Sequence, residues 1–193
     1  MLRAEQLRQL PMVENAYGRQ ARALLRNLDT ACANADELAA AATTQFAQHP
    51  DAAIITSLPG LGPLTGARLL AELGDDRARF ADARALKAYA GAAPVTRASG
   101  KSLTVSHRRI KNQRLANVGY LWAFAALTAS PGARAHYDRR KTAGDRHIAA
   151  QRNLFNRMIG ILHHCLATRT LYDEHIAFPA PSPAQSASST AAA

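Results

Sequence analysis

The chain has 193 residues, 48% of them apolar, and its 24 Lys and Arg against 14 Asp and Glu give a formal charge of +10. That is enough for one domain with extensions and a core of ordinary size, although alanine supplies much of the apolar share. No apolar run nears the ~18 residues of a membrane span, and Glu5 stands early in an N-terminus without a signal-peptide core, so no membrane partner is expected.

In chain order, a short helix is expected around Leu2 to Leu10, with Pro11 separating it from a longer one. From Tyr17 to Phe46 the apolar positions step by four and three, through Ala21, Leu24, Leu28, Ala31, Ala35, Leu38 and Ala42. A repeat of about 3.5 residues lays one stripe along a helix and suits a coiled coil or an antiparallel helix pair. Alanine at many seam positions makes for a weak, close interface, either with a second copy or with the chain's own domain. Residues 1–50 are read as a helical arm, with self-association the favoured use. His49-Pro50-Asp51 punctuates its end.

Between Ile54 and Asp75 a short helix, a glycine-rich turn and a second helix through Leu73 are expected, then a short helix from about Ala81 to Tyr89 with Gly91 as its C-cap. Val95-Thr96 and Leu103-Thr104-Val105 are the β-like stretches and read as a small hairpin with Ser99 at its tip. Two longer helices come next, about Arg109 to Thr128 and Arg146 to Thr170, with Pro131-Gly132 and Gly144 between them; Trp122 and Phe124 are assigned to the core. Residues 179–193, rich in Pro, Ser and Ala, are expected to be disordered. The fold class is mostly α: a helix-hairpin-helix-like unit within a 51–178 domain, a small β-hairpin and an N-terminal helical arm.

The charge is unevenly spread. Between Val95 and Arg157 stand thirteen Lys or Arg against only Asp138 and Asp145, a net of +11, so the rest is near neutral at −1. Such a concentration attracts polyanions, nucleic acid first. Cys32 and Cys165 lie far apart without a CxxC partner, which fits a reducing cytoplasm and small buried apolar residues rather than zinc ligands. His163 and His164 are adjacent and point to different helix faces, poor geometry for one metal. His136 and Tyr137, beside Arg139, Arg140 and Lys141, suit contact with nucleic acid better. No metal site is expected.

In Leu58-Pro59-Gly60-Leu61-Gly62-Pro63, Gly60 and Gly62 permit unusual backbone angles and close approach to a phosphate. The N–H groups so freed, with the next helix N-terminus, form an anion-binding concavity. Leu61 would plug the angle between the helices and Arg68 could add charge; a tight turn without a ligand is the plainer alternative. In Arg97-Ala98-Ser99-Gly100-Lys101, Gly100 clears space beside a hydroxyl bracketed by two cations, the arrangement a serine attacking a phosphodiester needs. An ordinary turn is the alternative, and Ser102, Thr104 and Ser106 are competing hydroxyls.

Four stretches carry a family resemblance: LPGLGPLTGARLLAELGD (58–75), RFADARALKAYAGAAPVTRASGK (79–101), KNQRLANVGYLWAFAAL (111–127) and AHYDRRKTAGDRHIAAQRNLFNRMIGILHHCL (135–166). From about Ile54 to Phe178 the chain resembles the C-terminal domain of the insertion-sequence 110/116/902 transposases, a family of bridge-RNA-guided serine transposases. The resemblance implies Ser99 as nucleophile, from the Pro94, Ser99, Gly100 pattern, and DNA with a guide RNA as partners. Nucleic acid would meet Gly60, Leu61, Gly62, Arg68, Arg97, Gly100, Lys101, Arg108, Arg109, Lys111, Arg114, Arg139 and Arg140.

The family's usual Gly-Asn-x-x-Leu-Arg is replaced here by Lys111-Asn112-Gln113-Arg114-Leu115-Ala116. Family members begin with an acidic, magnesium-binding domain that these fourteen acids do not form. The chain is therefore expected to be a C-terminal part, needing no cofactor of its own, inactive alone, and assembling through its arm or with full-length transposase. A non-enzymatic nucleic-acid-binding module is the alternative.

Overall fold

The computed structural model describes residues 10–179, the side chain of Arg77 aside. The expected leading helix over residues 2–9 and the disorder of 180–193 lie outside the described residues. The division into two compact units falls between Thr44 and Gln45.

The first unit is helix α1, Pro11–Ala47, whose last three residues already belong to the second. At about 1.5 Å per residue it is some 55 Å long. Tyr17, Leu24, Leu28 and Leu38 of the apolar stripe are 58–70% exposed, and Cys32 is exposed rather than buried. No part of this stripe up to Ala42 is buried within the chain.

The second unit is built around α7, His147–Thr168. Its inward positions Ala150, Gln151, Leu154, Phe155, Met158, Ile159, Leu162, Cys165 and Leu166 repeat at helical spacing and are all buried. Against it pack α2 (Ala52–Ser57), α4 (Ala83–Tyr89), α5 (Gln113–Ala129) and α6 (Pro131–Thr142), while α3 (Pro63–Leu73) packs on α2 and α5. A 3₁₀ turn, Arg77–Arg79, precedes α4, and α8 (Glu174–Ala177) closes the described chain. Trp122 of α5 is fully buried, edge-on to Phe155, and its indole N–H donates to the Pro59 carbonyl at 2.9 Å. Phe124, expected in the core, is instead 59% exposed on the opposite side of α5.

Pro131-Gly132 opens a helix instead of separating two. Ser130 ends α5 and caps α6, its Oγ accepting from the Ala133 N–H at 2.9 Å, and Pro131 takes the first helical position, where no amide donor is missed. Helix α5 likewise begins at Gln113 rather than near Arg109, because Asn112 is its N-cap and accepts from the Leu115 N–H at 2.9 Å. Gly91 lies just after α4 in the left-handed region, φ +71°, as its expected C-cap role requires.

Strands β1 (Val95–Ser99) and β2 (Ser102–Ser106) pair antiparallel, Ser99 opposite Ser102 and Val95 opposite Ser106. Gly100 and Lys101 form the two-residue turn, with Gly100 at φ +56° supplying the positive angle of its first position. Ser99 is thus the last strand residue beside the tip, not the tip itself.

Candidate nucleic-acid interface

Alternation along the strands gives the hairpin two unlike faces. Val95, Arg97 and Ser99 share one with their partners Ser106, Thr104 and Ser102; Thr96, Ala98, Leu103 and Val105 share the other. Both are open to solvent: every hairpin residue beyond Val95 is exposed, Leu103 at 69% and Val105 at 59%. A Cβ added at Gly100 would meet nothing within 4 Å. The Ser99 hydroxyl therefore stands on an uncovered ribbon, with Ser102 its direct cross-strand neighbour.

At the base of the same face a groove gathers Arg97 and Thr104 with His107, Arg108 and Arg109. Arg108 Nε is buried without a hydrogen-bond partner. The segment that delivers these cations is anchored by Asn112, whose Nδ2 donates to Glu72 of α3 at 2.6 Å and to the Tyr89 hydroxyl of α4 at 2.7 Å. An Asn at the start of a helix is a local cap signal; its ties to Glu72 and Tyr89, 40 and 23 residues away, have no such signal.

Lys111 points elsewhere: its stem lies over Gly91, where a Cβ would sit 2.1 Å from Lys111 Cδ. Arg68 and Arg114 share another groove, between α3 and α5, with Asn117 and Leu121; Arg114 lies 4.0 Å from the Glu72 carboxylate. Arg139, Arg140 and Lys141 occupy the last turn of α6, where cations suit the helix dipole. Arg140 is held by Asp145 at 2.7 Å, and the Lys141 ammonium donates to the Asp145 carbonyl. Asp138 pairs with Arg134.

His136 and Tyr137 are engaged internally, His136 Nε2 with Asn153 at 3.0 Å and the Tyr137 hydroxyl with His147 at 2.7 Å. Burial, then the nearby Arg157, Arg139 and Arg140 charges, hold the His136 pKa below its usual value against the opposing Asn153 bond.

The two glycines of the 60–62 turn differ. Gly60 has φ +80°, and a Cβ there would lie 2.6 Å from the Ala126 backbone nitrogen, so α5 packs against its bare Cα. Gly62 has an ordinary φ of −79°, with open space around it, and is the N-cap of α3 without a side-chain cap bond. Leu61 is buried beneath the turn, and Arg68 is exposed in the second turn of α3. Among the described residues no group of three or more His, Cys, Asp or Glu is gathered where one metal ion could sit. No described helix is long and apolar enough to cross a membrane.

A helical module with a basic groove and an uncovered, hydroxyl-bearing ribbon is the class these features define. Residues 52–138 match the model of the Transposase IS116/IS110/IS902 family. The chain is 61% identical over 178 residues to the "Mini-circle putative transposase for IS117" of Streptomyces coelicolor, covering 92% of this chain and 43% of that protein. It is 39% identical over 129 residues to the insertion element IS900 uncharacterized 42 kDa protein of Mycobacterium paratuberculosis, and 37% over 129 residues to the insertion element IS110 uncharacterized 43.6 kDa protein of Streptomyces coelicolor, covering 66% of this chain and 32% of each. The chain belongs to this transposase family. It spans less than half the length of these relatives.

Proposed function

We propose that this chain acts in DNA transposition, binding DNA and a guide RNA and presenting Ser99 for strand exchange. The observation that carries the reading is one hairpin face holding Ser99 and Arg97, with Arg108 and Arg109 in the groove at its base. A phosphodiester there meets cations able to stabilise the charge that builds on phosphorus. The Ser99 oxygen bonds to phosphorus as the bond to the leaving sugar oxygen breaks. Ser99 gives up its hydroxyl proton, the leaving oxygen takes one up, and the phosphate is held as a protein–DNA ester. The turn at Gly62 and the uncapped start of α3 add a backbone contact in the manner of a helix-hairpin-helix element, and α1 offers its exposed stripe for assembly.

Phosphoryl transfer of this kind draws much of its stabilisation from metal ions. The carboxylates for magnesium would come from outside the described residues, and the chain is expected to be inactive by itself. With magnesium and DNA alone it should give neither nicks nor adducts. Adding the family's acidic domain on a second chain lacking its own serine, with guide RNA, should yield a covalent protein–DNA adduct. Ser99→Ala should abolish the adduct while leaving DNA affinity within about twofold, since one hydroxyl adds little to a polyphosphate contact. Ser102→Ala should keep it. An adduct that survives Ser99→Ala, or cleavage by the isolated chain, overturns the assignment.

A further inference from the structure

Next to the basic groove lies a second, mostly apolar cleft of about 270 Å³ where α4, α5 and α7 meet. It is small beside the ~300–1,000 Å³ of ordinary ligand pockets. His107 lines both, so the two share a wall. Lys111 and Arg152 bring cations to the cleft, and Tyr120 of α5, 45% exposed, brings an aromatic ring.

Gln151 of α7 also lines it and is fully buried. Its Nε2 donates to the Tyr120 carbonyl at 2.9 Å. A carbonyl can only accept, which fixes the amide orientation and leaves Gln151 Oε1 as the acceptor. That oxygen is buried and has no donor. A buried acceptor without a partner costs about 1–3 kcal/mol, so such a group in a native fold calls for an explanation. A ligand bearing an N–H donor would supply the missing bond.

We infer that this cleft takes one unstacked nucleobase of a bound strand, its N–H edge bonded to Gln151 Oε1, its ring against Tyr120 and its phosphate toward Lys111 and Arg152. A planar ring with ring or exocyclic N–H donors, linked to an anion, matches an apolar slot that has an orphan acceptor inside and cations on its walls. The shared His107 wall puts this base beside the phosphate in the neighbouring groove. The inference rests on the nucleic-acid reading above and adds to it a base-holding site apart from Ser99.

The test titrates the nitrogen-15-labelled chain with AMP, CMP, GMP and UMP, and separately with ribose 5-phosphate, following the Gln151 side-chain amide by NMR. At least one nucleotide should shift that amide in a saturable way, and ribose 5-phosphate, lacking the base, should bind about tenfold more weakly or worse. Tyr120→Ala should weaken the nucleotide about tenfold without loss of fold, since the residue is only half-buried. Gln151→Met, checked for native helicity and followed at the backbone amides of Tyr120 and Arg152, should narrow the preference of the cleft for nucleotide over ribose 5-phosphate severalfold, the Tyr120 ring keeping the remainder. Equal binding of ribose 5-phosphate, or no Gln151 shift at 10 mM of any nucleotide, roughly the limit of useful affinity, overturns the inference. Duplex DNA titrated in parallel separates the failures: duplex binding without nucleotide binding defeats the cleft alone, and absence of both defeats the nucleic-acid reading as well.

Discussion

At the scale of single residues, Gly60 and Gly62 look alike in sequence and answer to different constraints. Gly60 combines a left-handed φ with backbone contact against α5, so any side chain there strains the turn and pushes α5 away. Gly60→Ala should destabilise the fold by about 2–4 kcal/mol, read as a lowered denaturation midpoint. Gly62→Val tests phosphate approach with less disturbance, because its φ is ordinary and its surroundings empty. It should keep the native circular dichroism spectrum and weaken DNA binding several-fold; unchanged binding removes the turn from the interface. The motif was visible from the Gly-Leu-Gly spacing, but the split between the two glycines depends on Ala125 and Ala126, more than 60 residues further along. Distance along the chain also hid Gln151, whose partner Tyr120 is 31 residues away and which reads in sequence as one more polar residue on an amphipathic helix. Phe124 is exposed where the sequence suggests core because α5 is apolar nearly all round, so periodicity does not tell its buried side from its exposed one.

Among elements, α6 is the helix that local sequence signals conceal, and its start explains why. Pro and Gly together suggest a break, yet Pro suits a first helical turn when a capping residue precedes it. The rest of the start comes from far away: Glu174 Oε1 accepts from Ser130 Oγ and from the Gly132 N–H, both at 2.7 Å, and Tyr172 donates to Glu174 Oε2 at 2.6 Å. Burial pushes the Glu174 pKa up, but the bonds from Tyr172, Ser130 and Gly132 together outweigh it and leave it below the ordinary value. Burial, with Glu174 adding to it, raises that of Tyr172.

A carboxyl lowered in the fold stabilises it above its unfolded pKa, near 4.5, and that contribution is lost as pH falls through the folded value. His136 is also lowered, from 6.5, so the unfolded chain takes up its proton first and stability begins to fall below about pH 6.5. Melting temperature should therefore decline toward acid in two stages. Glu174→Gln should lower Tm at neutral pH and remove the stage below pH 4.5, whereas His136→Phe should remove the upper one. A Glu174→Gln variant with an unchanged acid limb would place the control of α6 elsewhere. The hairpin, by contrast, was legible almost to the residue, because its turn chemistry and alternation are local.

For the whole molecule, the asymmetry of charge was fully written in the sequence, while its division among several surfaces was not. Arg97, Arg108 and Arg109 meet in one groove, Arg68 and Arg114 in another, and Arg140 is taken up by Asp145. Not every cation of the basic region can reach one stretch of duplex backbone. With roughly four to six phosphate contacts the slope of log K against log salt should be about −4 to −5. Arg108→Ala with Arg109→Ala should flatten it by one to two units on unrelated sequences, while Arg140→Ala should change it by less than one. A slope near zero for the parent chain disposes of electrostatic DNA binding.

The Asp51–Arg169 ion pair carries a topological consequence. It joins the approach to α2 with the end of α7, and nearby the Ser57 hydroxyl accepts from the Tyr172 N–H at 2.9 Å. The approach to α2 and the stretch after α7, 118 residues apart, thus lie side by side. A circular permutant of residues 45–179, its old ends joined by a glycine-serine linker long enough to span them and its new ends cut between Gly100 and Lys101, should retain the helical core and melt in one cooperative transition. It would lose only the hairpin turn, and so would tell the work of the ribbon apart from the integrity of the helices that carry it. A broad, non-cooperative melt would mean that the order in which the helices are joined matters to this fold, beyond the contacts they make.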